Sequence, residues 1–257
     1  MKLMDFWILL AVALGLNFVL YLTAFATKTD KLTDLTYSAS FIVLAWAAYA
    51  NSDKTLTTRL LLVMIAVWSL RLGLYLFRRI HKMERDKRFD KVRGSFARFG
   101  GFWLIQAVTA WVVLLPSIYV FRASPNVWHP LQTLGLLIWL AGLLIETIAD
   151  VQKYRFKANP RHKDHWLDAG LWSHSRHPNY FGEISMWIGI FIFAAPSLYG
   201  WQFVWAALSP LWIAYLLIFK TGILPLEKSA ERKWGKNKAY QSYKRHTSVL
   251  IPLPRKG

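Results

Sequence analysis

Residues 129–149 read HPLQTLGLLIWLAGLLIETIA, a 21-residue stretch that is unbroken apolar sequence from Leu134 to Ile145 and meets its first carboxylate at Glu146. At about 1.5 Å per helical residue this run is as long as the hydrocarbon core of a bilayer is thick. Similar runs occur at 6–26, 35–50, 60–77, 101–121, 184–199 and 201–219. The expectation is an all-α bundle of seven transmembrane helices, forming one integral membrane domain over 1–257 with a tail at 220–257. A hydrophobic content of 55%, 14 Trp and a mean hydropathy of +0.27 exclude an ordinary soluble domain. The first run reads as a retained helix and not a cleaved leader, because it is long and is preceded only by Lys2 against Asp5.

The net charge of +18 has a topological meaning. If alternate connections face the cytoplasm, 27–34, 78–100, 150–177 and the tail from Lys220 hold two, nine, six and ten Lys or Arg, and the opposite set holds four. This asymmetry puts the N-terminus outside and the C-terminus in the cytoplasm. The basic excess then serves orientation and lipid-surface attraction, which argues against nucleic acid as a partner. With no cysteine, disulfides, thiolate nucleophiles and Cys-ligated metal are excluded. His162-x-x-His165 and His174-x-x-His177 raise a di-iron site, but the other histidines are scattered over separate connections, so no metal is expected. Neither a P-loop nor a strand-borne Gly-x-Gly-x-x-Gly is present.

At the inner end of 129–149, Glu146, Asp150, Tyr154 and Lys157 recur at helical spacing and form a polar stripe leaving the membrane. Carboxylates at that depth need an ion pair, such as Asp150 with Lys153 or Lys157, or a ligand. Beyond them lies Ser175-Arg176-His177-Pro178-Asn179-Tyr180-Phe181-Gly182-Glu183. Pro178 suits the first helical position, so a helix starting there and running to Phe193 carries Arg176, Asn179, Tyr180, Glu183 and Trp187 on one side. Its N-terminus at the membrane boundary favours phosphate or another anion. The plainer alternative is a capped turn in which Glu183 neutralises Arg176. Asn179 and Glu183, one turn apart, offer donors and acceptors suited to an amide or ribose.

Trp68, Arg71 and Tyr75 share a face of the third span, followed by Arg78 and Arg79; Arg71 either snorkels to headgroups or points inward to an anion. Tyr37 and Gln106 are intramembrane polar groups, suited to helix–helix bonds or to substrate. Glu227, Glu231 and Trp234, at i, i+4 and i+7, describe an amphipathic helix that lies on the surface or folds back as a lid.

Gly170-Leu171-Trp172, Ser175 to Glu183, Lys233-Trp234-Gly235, Tyr240, Tyr243 and Leu250-Ile251-Pro252 together resemble the steroid 5-alpha-reductase and sterol reductase superfamily, in its bacterial DUF1295 branch, over roughly 60–254. The resemblance implies a seven-helix, multi-pass reductase using NADPH, in a bacterial inner membrane with the cofactor site facing the cytoplasm. It implies that Asp150, Lys157, Arg176, His177, Asn179, Tyr180 and Glu183 bind NADPH, with Arg71, Glu227 and Tyr240 as additions. The related isoprenylcysteine carboxyl methyltransferases share Arg-His-Pro-x-Tyr-x-Gly and use S-adenosylmethionine, whereas Asn179, Glu183 and Asp150 are similar to the reductase version. A third class is a lipid-binding membrane protein without activity. Steroid reductases grip the substrate ketone with a Gln-Glu pair and a tyrosine; here Tyr37, Trp46 and Tyr49 stand in the early helix and Trp68 where that tyrosine would fall. The expected reaction is hydride transfer to a conjugated carbonyl in a lipid, with Tyr37 or Tyr75 as proton donor and Trp68 and Gln106 facing substrate.

Overall fold

The computed structural model describes residues 6–82 and 94–254. The described residues are helical, with no strand beyond an isolated bridge between Ser175 and Ser248. The helices are α1 (Phe6–Ala26), α2 (Lys31–Ala50), α3 (Leu56–Lys82), α4 (Phe96–Ala123), α5 (Pro130–Ala158), α6 (Pro178–Ala194), α7 (Gln202–Tyr215), α8 (Ile223–Trp234) and α9 (Lys238–His246). A π turn at Leu216–Lys220 joins α7 to α8. Of the basic connection expected over 78–100, residues 83–93 lie outside the described residues.

Six helices are long and apolar enough to cross a membrane: Phe6–Ala26, Leu56–Arg78, Phe96–Ala123, Pro130–Ala158, Pro178–Ser197 and Gln202–Trp234. The protein is a multi-pass membrane protein. The expected span at 35–50 is helical within α2, but Lys31, Asp34 and the hydroxyls of Thr33, Thr36, Ser38 and Ser40 dilute its apolar character, and it is not among the six.

The chain forms two compact units, Met1–Gln132 with Ala194–Ser209, and Thr133–Phe193 with Pro210–Gly257. In the first, α1, α2 and α4 share a buried amide network. The Gln106 amide donates to Asn17 Oδ1 at 3.0 Å, and Asn17 Nδ2 donates to Ser40 Oγ at 3.1 Å and to the Ala13 carbonyl at 2.9 Å. Amides in an apolar bundle are held by such pairing. Nearby, Tyr21, Ala24, Phe99 and Trp103 form a buried cluster. Between α2 and α3, Ser38 Oγ donates to the Ser69 carbonyl at 2.6 Å, and Phe41 stands edge-on to Trp68.

In the second unit, α5 and α6 meet backbone to backbone. A Cβ on Gly142 would lie 2.6 Å from the Gly182 carbonyl oxygen, and one on Gly182 would lie 2.6 Å from that of Gly142. Seven residues along each helix, Gly135 and Gly189 repeat the arrangement at 2.6 and 2.7 Å. Without side chains at four positions, two antiparallel helices approach closely, the packing favoured where lipid supplies no hydrophobic drive. That approach brings the polar end of α5 beside the first turns of α6.

Candidate functional site

Pro178 opens α6, as its fixed φ and missing N–H allow. The preceding turn is held from outside the helix. Ser175 Oγ accepts from the His177 N–H at 3.1 Å and donates to the Leu250 carbonyl at 2.7 Å, while the Arg176 N–H donates to the Ser248 carbonyl at 2.8 Å. The segment after α9 therefore straps the Arg-His-Pro turn. Upstream, Gly170 takes a φ of +62°, a left-handed value suited to glycine, which lets the Leu171 N–H reach Gln152 Oε1 at 3.0 Å. Trp172 then donates to the Ala149 carbonyl at 3.1 Å, and Tyr243 donates to the Trp172 carbonyl at 2.8 Å.

These anchors frame a cleft of about 560 Å³. Its walls include Lys153, Lys157, Lys163, Arg176 and Lys233, opposed by one carboxylate, Glu227. Phe156, Trp166, Trp172, Trp234, Tyr240 and Tyr243 line it with ring surface. Trp166 packs edge-on to Tyr240 and Trp234 and stacks on Tyr243. Its buried Nε1 has no hydrogen-bond partner among the described residues. His162 stacks on Phe156 with ring centroids 4.2 Å apart, and Lys153 Nζ sits 5.0 Å from the Trp172 centroid. Burial pushes the Tyr240 and Tyr243 hydroxyls up, so both remain neutral donors at physiological pH.

The polar centre of the cleft joins three side chains. Arg176 Nη2 lies 3.1 Å from Glu227 Oε2, and His177 Nε2 lies 2.9 Å from Oε1 of the same carboxylate. Arg176 Nη1 donates to the Lys244 carbonyl at 2.7 Å, and its buried Nε has no hydrogen-bond partner among the described residues. The imidazole of His177 is stacked nearly parallel on Tyr180, whose ring packs over Gly222.

A second polar cluster lies where α5 and α6 touch. Asn179 Nδ2 donates to Asp150 Oδ1 at 3.3 Å, and the buried Asn179 Oδ1 accepts no hydrogen bond from the described residues. Asp150 and Glu146 are both buried, one turn apart on α5, with the Glu146 backbone against Gly182. Glu183 is half-buried one turn beyond Asn179.

The structure thus brings Lys157, Arg176, His177, Glu227 and Tyr240 together around the cleft, and pairs Asp150 with Asn179 in the adjoining cluster. Tyr37, Trp68, Arg71, Tyr75 and Gln106 belong to the other compact unit. There Tyr37 stands edge-on to Phe41, Trp68 is fully buried, Arg71 and Tyr75 are half-buried on α3, and Gln106 is committed to Asn17. Spacing and composition alone single out neither Trp166 nor Lys163 as part of the cleft. The signal was tryptophan at 166, 172 and 234 within polar stretches, where no apolar span demands it.

No curated protein matches the chain, and no solved structure does. A family match covers residues 20–247, including the cleft and the α5–α6 contact, and by it the chain belongs to the family described as Protein of unknown function (DUF1295).

Proposed function

We propose that this protein is a membrane-embedded reductase that uses NADPH to saturate a conjugated C=C bond in a lipid enone. The observation that carries the reading is the charge of the cleft, five Lys or Arg against one Glu over an aromatic lining. NADPH brings about four negative charges on its pyrophosphate and 2′-phosphate, which such a lining matches. S-adenosylmethionine is net positive and lacks phosphate, so the same cations oppose it. The volume lies within the range of about 300–1,000 Å³ usual for small-molecule sites. Buried polar atoms without partners at Arg176 Nε, Trp166 Nε1 and Asn179 Oδ1 offer hydrogen bonds that a polar ligand completes.

In this reading Lys153, Lys157, Lys163 and Lys233 hold phosphate as mobile point charges, and Arg176 holds it as a planar donor. Trp166 and Trp234 present flat faces to the adenine, as aromatic side chains do for bases. Asn179 and Asp150 accept from the carboxamide of the nicotinamide. When bound, NADPH supplies the hydride. The β-carbon of the enone would accept it, the displaced π electrons would move toward the carbonyl oxygen, and the α-carbon would take a proton that comes from solvent.

We infer that α2 makes a seventh crossing, because its Thr33, Thr36, Ser38 and Ser40 are buried while Val43 and Trp46 face outward. Seven crossings and the distribution of Lys and Arg along the sequence support a cytoplasmic C-terminus and a cleft on the side where the cofactor is available.

The test is a thermal shift of the detergent-purified protein with NADPH, NADH and S-adenosylmethionine. A ligand that binds the folded state raises the apparent melting temperature. NADPH is expected to do so, and its absorbance to decay when a lipid enone is added. Stabilisation by S-adenosylmethionine alone refutes the proposal.

A further inference from the structure

Glu227 occupies an unusual position for the one carboxylate of a basic cleft. Its two oxygens are divided between Arg176 and His177, at 3.1 and 2.9 Å, which is how an oxyanion sits on two neighbouring donors. The Arg176 side chain is only 10% exposed and still has its Nε without a partner. The carboxylate therefore satisfies part of a donor set that can serve a larger anion.

Glu227 is carried by the second turn of α8, shortly after Gly222 and the π turn. Other contacts seat this helix independently of Glu227. Lys233 Nζ donates to the Lys163 carbonyl at 3.1 Å, Trp234 Nε1 donates to the Asp164 carbonyl at 2.9 Å, and Glu231 pairs with Lys244 at 2.6 Å. The Glu227 side chain can leave its partners while α8 stays in place.

We propose that Arg176 and His177 form an anion site for a phosphate or pyrophosphate group, and that Glu227 is an internal competitor for it. The proposal rests on the reading of the cleft as a phosphate-bearing cofactor site, and it makes Glu227 a gate in place of a cofactor contact. A phosphate has more acceptor oxygens and more charge than a carboxylate, so it engages the two donors that Glu227 uses and the unpartnered Nε as well. Displaced from Arg176, the Glu227 carboxylate turns to water. The exchange sets a threshold: ligands without phosphate, however well they stack, do not displace the carboxylate.

The experiment compares wild type with Glu227→Gln as full-length protein in detergent, by thermal-shift titration with inorganic pyrophosphate and, in parallel, with micellar phosphatidic acid. Without added anion, Glu227→Gln is expected to melt lower, since it leaves Arg176 and His177 uncompensated. Pyrophosphate should restore it and bind roughly tenfold more tightly than to wild type, the size of one charge-assisted hydrogen bond no longer displaced. Glu227→Asp, which keeps the charge on a shorter arm, should shift affinity in the same direction by a smaller factor, and it decides the matter if Glu227→Gln does not fold. Affinity for both pyrophosphate and phosphatidic acid that is unchanged or weaker in these variants overturns the proposal. The NADPH arm separates the two readings. NADPH that stabilises wild type but binds less tightly to Glu227→Gln rejects the competitor and leaves the cofactor reading standing. Tighter pyrophosphate binding with no NADPH response supports the anion site and rejects the cofactor. A gain seen with phosphatidic acid alone supports the site with a lipid headgroup as its source, and also rejects the cofactor.

Discussion

Replacing Gly182 with Ala probes the contact on which the polar cluster depends. The new Cβ would stand 2.6 Å from the Gly142 carbonyl oxygen and 2.7 Å from the Glu146 nitrogen, both backbone atoms that cannot rotate aside. Ordinary contact begins at 3.4 Å, so α5 and α6 must part by about 0.8 Å, the difference between 3.4 and 2.6 Å. The Asn179–Asp150 hydrogen bond, already 3.3 Å long, does not survive such a separation. Overpacking of this kind costs about 1–3 kcal/mol and the hydrogen bond about 1 more. A total of roughly 2–4 kcal/mol lowers the melting temperature by roughly 4–16 °C for a chain of this size. The assay is thermal unfolding in detergent, with Gly15→Ala as the control. A Cβ at Gly15 meets nothing within 4 Å, and alanine favours a helix over glycine, so that variant should melt at or above wild type. The reasoning is refuted if Gly182→Ala melts with wild type, or if Gly15→Ala falls as far.

Lys157→Glu reverses a charge on the cleft wall, and NADPH binding should weaken roughly tenfold at low ionic strength, with the gap closing as salt screens the site; a loss independent of salt rejects the electrostatic role. Tyr243→Phe removes the buried bond to the Trp172 carbonyl and should cost about 1 kcal/mol, read as a melting temperature lower by roughly 2–4 °C. Burial raises the Tyr243 hydroxyl above its ordinary value of 10.0, so its contribution is fully present below that pH and is lost as pH rises through the folded-state value. Wild type should therefore hold its stability up to about pH 10 and then decline more steeply than Tyr243→Phe, and parallel curves would refute this assignment.

Much of the architecture was legible because local patterns specify it. Apolar runs of membrane length became helices, and α6 begins at Pro178 as the fixed φ of proline requires. Glu227, Glu231 and Trp234 lie on one helix. The span at 35–50 was legible as a helix, but polar residues in its first half leave it below the apolarity of the other six. At the site, the Arg-His-Pro-Asn segment and the polar end of α5 were visible as clusters of groups too costly to bury without partners.

Composition and periodicity alone determined that this chain is a helical, multi-pass membrane protein with its basic residues concentrated outside its apolar spans. The tertiary structure decided which groups meet. Arg176 and His177 are about fifty residues from the carboxylate that joins them, and Trp166 lies about seventy from the rings that enclose it. No spacing rule reaches so far along a chain. What brings these segments together is the backbone contact at four glycines and the strap of Ser248 and Leu250 on the Arg176 turn, and such contacts depend on how closely two helices approach and on where a distant loop returns.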